Sequence, residues 1–166
     1  MGIAWLPIIF GPYFAFKLVA AGEGPSSKGG AIGYALLGLV VLAASVFLSV
    51  KAGFSAPLVE TGALVCMAVA VALQFRPWPV LAKALLAYGY AARIPVAIIM
   101  FFAIRGNWGT HYDGPPPNLP EMSFWPKYLQ IALIPQFIFW VAFTVVIGAL
   151  VGTIAAAARR SPAAAA

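Results

Sequence analysis

An arginine in the middle of an apolar run constrains this chain more than any other feature. From Val80 to Ala103 the residues are apolar apart from Lys83, Tyr88, Tyr90 and Arg93. A helix of that length crosses a hydrocarbon core of about 30 Å at about 1.5 Å per residue. Lys83 lies near one end, where its side chain reaches the headgroups. Arg93 lies near the middle, where a charge costs at least about 2.5–3.5 kcal/mol. Its side chain must therefore face protein or water. Helical spacing sets Gly89, Tyr90, Arg93, Ala97 and Met100 along one face. Pro95 withholds its own N–H and crowds the carbonyl of Ala91, so a kink is expected there. Arg93 then has two readings. It binds an anionic group, a lipid phosphate or a carboxylate, with Tyr90, Glu60 and Arg105 as candidate companions. Alternatively, and by preference, it is a structural arginine held by Glu60, a glutamine or backbone carbonyls.

The rest of the chain has the same character. Its 166 residues are 63% hydrophobic and 8% charged, with a mean hydropathy of +0.97. Soluble domains carry about 25% charged residues. This composition reads as an integral membrane protein without a separate soluble domain. The net charge of +6 does not read as nucleic-acid binding. The basic residues are scattered, mostly at the ends of apolar runs, with no run beyond Arg159-Arg160. They read as topology signals and contacts to anionic headgroups. Cys66, the single cysteine, rules out an intramolecular disulfide and lies in an apolar run, where it behaves as a small hydrophobe.

Five apolar runs, at about 3–21, 31–50, 58–75, 80–104 and 128–157, predict an all-α polytopic bundle of five transmembrane helices. Residues 1–166 then form a single membrane domain. In the runner-up arrangement four helices span and the first run is re-entrant or interfacial, because Gly11-Pro12 interrupts it. The same pair, and the lack of a basic stretch before it, argue against a cleaved signal peptide. Residues 22–30 and Arg76-Pro77-Trp78-Pro79 read as breaks. Residues 105–127 form the one substantial loop, where dense Gly, Pro and Asn disfavour both helix and strand. Its Trp108, Tyr112, Phe124 and Trp125 are interfacial types that press it against headgroups. Pro135 predicts a kink in the last run, with Gln136 beside it. Further on, Gly148, Gly152 and Ala156 form a small-residue face for helix packing, within the bundle or between copies.

Charge placement gives the expected orientation. With five helices and a cytoplasmic C-terminus, Lys17, Lys28, Arg76, Lys83, Arg159 and Arg160 fall inside. Lys51, Arg105 and Lys127 fall outside, with Glu60, Asp113 and Glu121. The excess follows the positive-inside rule. It predicts a multi-pass protein of the inner membrane with the loop 105–127 outside.

Candidates for chemistry are weak. His111 and Asp113 stand two apart, with Glu121 beyond a proline-rich segment. A general base or metal ligand oriented by an acid has that composition. A histidine in a tight turn has it too, and Asp113-Gly114 reads first as a turn. No second histidine, paired cysteines, nucleophile elbow or phosphate loop accompanies them. No metal, haem or other cofactor is expected. The expected role is non-catalytic: a bundle that assembles with itself or with other membrane proteins and binds membrane lipids. One rival is a small oligomeric transporter or channel around Arg93. The other is a membrane enzyme acting on a lipid, with Arg93 for phosphate and His111 and Asp113 for proton transfer.

Overall fold

The computed structural model describes residues 3–51, 57–114 and 120–159. The break between the second and third apolar runs, the proline-rich centre of the long loop and Arg160 lie outside these. The described residues are helical, with no strand among them. A 3₁₀ turn at Ile3–Trp5 leads into α1 (Leu6–Ala20). There follow α2 (Lys28–Lys51), α3 (Pro57–Gln74), α4 (Pro79–Gly106) and α5 (Phe124–Ala158). Three of them, α2, α4 and α5, are long and apolar enough to cross a membrane; α1 and α3 are apolar but shorter.

Local chemistry explains where the helices start. Pro57 and Pro79 open α3 and α4, where a missing N–H costs nothing. The second helix begins three residues before the apolar run at Ala31, inside the stretch read as loop. Ser27 makes the difference: its hydroxyl accepts the Gly30 N–H at 3.2 Å and its carbonyl accepts the Ala31 N–H at 2.9 Å. The fifth helix likewise starts four residues before Tyr128. Phe124 stacks on Tyr128, and both rings pack edge-on against Phe101 of α4 at 5.1 and 5.4 Å. That tertiary contact outweighs the local loop composition.

Neither Pro12 nor Pro95 ends its helix. Around Pro135 the chain stays helical by widening. The Ile134 N–H bonds the Leu129 carbonyl and the Trp140 N–H bonds the Pro135 carbonyl, each one residue further back than in an α-helix. The spare residue in such turns accommodates a proline that cannot donate.

Polarity by size runs inside out. On α2 the buried positions are Ala31, Ala35, Gly38, Leu42, Ser45 and Ser49, while Leu36, Leu37, Val40, Phe47 and Leu48 point outward. Leu58 of α3 is 89% exposed and Val40 64%. Small residues inside let helices approach closely, and large apolar residues outside suit lipid, not water.

The centre of the bundle is α5, not the arginine-bearing α4. It touches all four other helices, and its contact with α1 is the most extensive. Val141, Val145 and Ala149 pack with Ala15, Trp78, Leu81 and Leu85 on one side. One residue further round the helix, Ala142 and Val146 pack with Leu42, Met67 and Ala70 on the other. The first and last helices run in the same direction, since Gly11 lies against Gly148 and Ala15 against Gly152. By that register α1 stops near the level of Trp140, and the earlier part of α5 packs against α3 and α4. At the opposite end, Trp78 donates its indole N–H to the Glu23 carbonyl at 2.7 Å and locks the α1–α2 loop to the α3–α4 hinge.

Candidate functional site

The buried face of α4 carries Gly89, Arg93, Ala97 and Met100 at intervals of about one turn. Gly89 lies against the side chains of Val141 and Thr144 of α5, one turn before Arg93. The arginine is 5% exposed. Its Nη1 donates to the Gln136 side-chain oxygen at 3.3 Å, and its guanidinium lies over the Trp140 ring at 4.9 Å from the centroid. Gln136 in turn donates its amide to the Met100 sulfur at 3.6 Å, a weak acceptor. Below the next turn, the Tyr128 hydroxyl donates to the Ala97 carbonyl at 3.1 Å. Gln136 and Trp140, four residues apart across the widened turn after Pro135, point to the same side.

The magnitudes show how this charge is held. A desolvated cation–π contact contributes about 2 kcal/mol and a hydrogen bond to a charged group about 1.5–3 kcal/mol. Together they are of the same order as the cost of burying the charge. The cluster is nevertheless incomplete. Among the described residues Arg93 Nε is buried without a partner, and so is the Tyr88 hydroxyl, whose ring packs on Phe10 and Phe14 of α1 at 4.8 and 5.7 Å. Every partner of Arg93 among them is neutral.

Several sequence candidates fall elsewhere. Tyr90 does not share the face of Arg93: it is 43% exposed and stacks on Phe137 at 6.1 Å. It follows Gly89 by one residue and is turned by about 100°. Glu60 sits in the first turn of α3 and is not the acceptor for Arg93, a role taken by Gln136. Arg105 is exposed at the far end of α4, lining an open groove of about 440 Å³ with Ile104, Asn107, Met122, Phe124 and Lys127. Gly148, Gly152 and Ala156 face inward, the two glycines against Gly11, Ala15 and Leu85 and the alanine in the same core. The small-residue face is thus spent inside the bundle.

His111 and Asp113 are not brought together. His111 is exposed beside Tyr112. Asp113 is 6% exposed and turned back on its own loop. It accepts the Gly109 N–H at 2.9 Å, the Thr110 N–H at 2.6 Å and the Thr110 hydroxyl at 2.8 Å. Asn107 and Gly109 take positive φ, 46° and 65°, to make this reversal. The Thr110 hydroxyl above all, aided by the two backbone N–H groups and opposed by burial, holds the Asp113 carboxyl below the usual range. A lowered folded value means that its contribution is complete above the unfolded value near 3.9 and is lost as pH falls through the folded one. Hydrogen exchange at the Gly109 and Thr110 amides is expected to stay protected from neutral pH to about pH 4 and to rise below that. Asp113→Asn should remove the pH dependence, and protection unchanged at pH 2 would refute the assignment.

Among the described residues no three His, Cys, Asp or Glu side chains gather as a metal site. No protein-family model, curated protein or solved structure matches the chain. Sequence reasoning offered Arg93 an unspecified glutamine and noted Gln136 separately, without joining the two, and it missed Tyr88 and Trp140. One signal was available: Gln136 and Trp140 stand four apart, so one helical face offers an acceptor and a π surface to a cation.

Proposed function

We propose that the chain is a non-catalytic helical bundle of the inner membrane that assembles with another membrane protein. In this reading all five apolar helices cross the bilayer, with the loop outside and the C-terminus in the cytoplasm. Support for that orientation is the basic excess at Lys17, Lys28, Arg76, Lys83, Arg159 and Arg160 over Lys51, Arg105 and Lys127.

The observation that carries the assembly reading is a buried guanidinium with only neutral partners and an unsatisfied Nε. Arg93 stands about 21 Å along α4 from Pro79 and about 20 Å from Gly106. Glu23, Glu60, Asp113 and Glu121, the four acids of the chain, lie in loops, at a helix start or just before one. None is at the depth of Arg93, so a second copy has no carboxylate to bring there. An Asp or Glu on another protein's transmembrane helix would reach this charge only with Gln136 and Trp140 moved aside, since the guanidinium is 5% exposed within its own chain, and the pair would then form in a medium where such pairs are strong. Arg93 is closed to solvent, whereas the transporter reading needs it open to water. Asp113 is engaged by its own turn, whereas the enzyme reading needs it beside His111.

Copurification from native membranes in mild detergent tests this. A stoichiometric membrane protein is expected with the wild type and with Arg93→Lys, and its yield should fall at least about tenfold with Arg93→Gln, the size of effect expected for one desolvated charge pair. A folded monomer with no partner would overturn the reading.

A further inference from the structure

The open groove between the end of α4 and the start of α5 has a composition the assembly reading does not use. Arg105 and Lys127 approach it from two different helices, with Asn107 beside them. No acid is among the described residues that line it. Asp113 is occupied by Gly109 and Thr110, and Glu121 is exposed and is not among the lining residues. The remaining wall is apolar, made by Ile104, Met122 and Phe124. Trp108 and Trp125 are largely exposed at the same end of the molecule, and Phe102, one turn before the groove, points outward. Aromatic residues of this kind collect at headgroup level.

We infer that this groove binds an anionic glycerophospholipid. Its phosphate lies between Arg105 and Lys127, and its glycerol and upper acyl chains lie along Met122 and Phe124. A free phosphate would satisfy the two cations and leave the apolar wall in water. A lipid satisfies both parts of the groove at once. The guanidinium gives a planar pair of donors to phosphate oxygens, and the ammonium adds a point charge from the opposite side. The inference rests on the membrane placement proposed above, and not on the partner assigned to Arg93.

The test is lipid retention by the purified full-length protein, reconstituted in nanodiscs of phosphatidylethanolamine with about one quarter phosphatidylglycerol and followed by native mass spectrometry. Wild type is expected to keep one phosphatidylglycerol through delipidation. Near-surface cations contribute roughly fivefold each to the binding of anionic lipid, so Arg105→Gln with Lys127→Gln should lower retention by about thirtyfold. The charge-keeping pair Arg105→Lys with Lys127→Arg should retain it. Equal retention by wild type and the doubly neutralised variant, or none by wild type, would overturn the inference. So would displacement of the lipid by millimolar inorganic phosphate, since that outcome makes the site one for free phosphate. Arg93→Gln serves as the separating control: it should leave the lipid bound while lowering the yield of the partner in the copurification above. Extraction of the wild type from membranes by carbonate would instead refute the membrane placement itself.

Discussion

Gln136→Leu is expected to destabilise the folded protein by about 2–4 kcal/mol, far more than a surface-sized change. The side-chain oxygen of Gln136 is the hydrogen-bond acceptor for Arg93, at 3.3 Å. Leucine fills similar space but leaves the guanidinium with only the Trp140 face. Ordinary interhelical hydrogen bonds in membranes contribute about 0.6 kcal/mol and rarely more than about 1.7 kcal/mol. The larger expectation comes from a stranded charge, not from the lost bond itself. The double variant Arg93→Met, Gln136→Leu should therefore recover most of the loss, because no charge remains to be solvated. Denaturant unfolding in mild detergent on all four corners of the cycle measures this. Additive effects, with the double variant worse than either single one, would show that Arg93 has another acceptor.

The second large effect is expected at Gly11. A Cβ there would run into the backbone of Gly148, meeting its carbonyl oxygen and lying 2.9 Å from its Cα. Backbone on a packed helix cannot move aside as a side chain can. Gly11→Leu should force α1 off α5, at a cost of about 3 kcal/mol or more on the scale of overpacked cores. The fifteen residues of α1 reach only about 22 Å alone, so the helix depends on α5 for its place. Gly11→Ala should cost about 1–2 kcal/mol even after the helix-propensity gain of about 1 kcal/mol. Gly148→Ala provides the contrast. The nearest atoms to its Cβ would be those of the Leu85 side chain, the closest at 2.6 Å, which is buried in the core but can shift where backbone cannot. That change should cost less than Gly11→Ala. Thermal unfolding in detergent gives the comparison, and equal losses for the two alanine variants would contradict the close α1–α5 register.

Much of the architecture was legible from one dimension. The apolar runs marked the helices, because a lipid-facing helix must be apolar for most of its length and loops must break that pattern. The errors came at ends. Ser27 capped α2 inside a glycine-rich stretch, and Phe124 joined α5 because Phe101 was there to receive it. The first kind of error was avoidable, since a serine three residues before a free N–H is a local signal. The second was not, since Phe101 is distant in the chain.

The candidate site shows the same division. That Arg93 must face inward followed from its depth alone, since lipid does not tolerate a bare charge. Its acceptor did not follow. Glu60, a glutamine and backbone carbonyls were equivalent until the packing of the widened turns around Pro135 against α4 brought Gln136 into reach. Likewise, the small-residue face of Gly148 and Gly152 was visible, but not whether it served this chain or another. The parallel packing of α1 settled that.

By itself, then, the sequence determined that this is a helical, apolar chain with a charge that must be sheltered. Those properties are local, set by transfer energies of consecutive residues. Only the tertiary structure decided that α5 is the hub, that Gln136 and Trp140 shelter Arg93, and that Asp113 is occupied within its loop. Each depends on side chains whose meeting is fixed by helix register, rotation and turn geometry, which residue order does not specify.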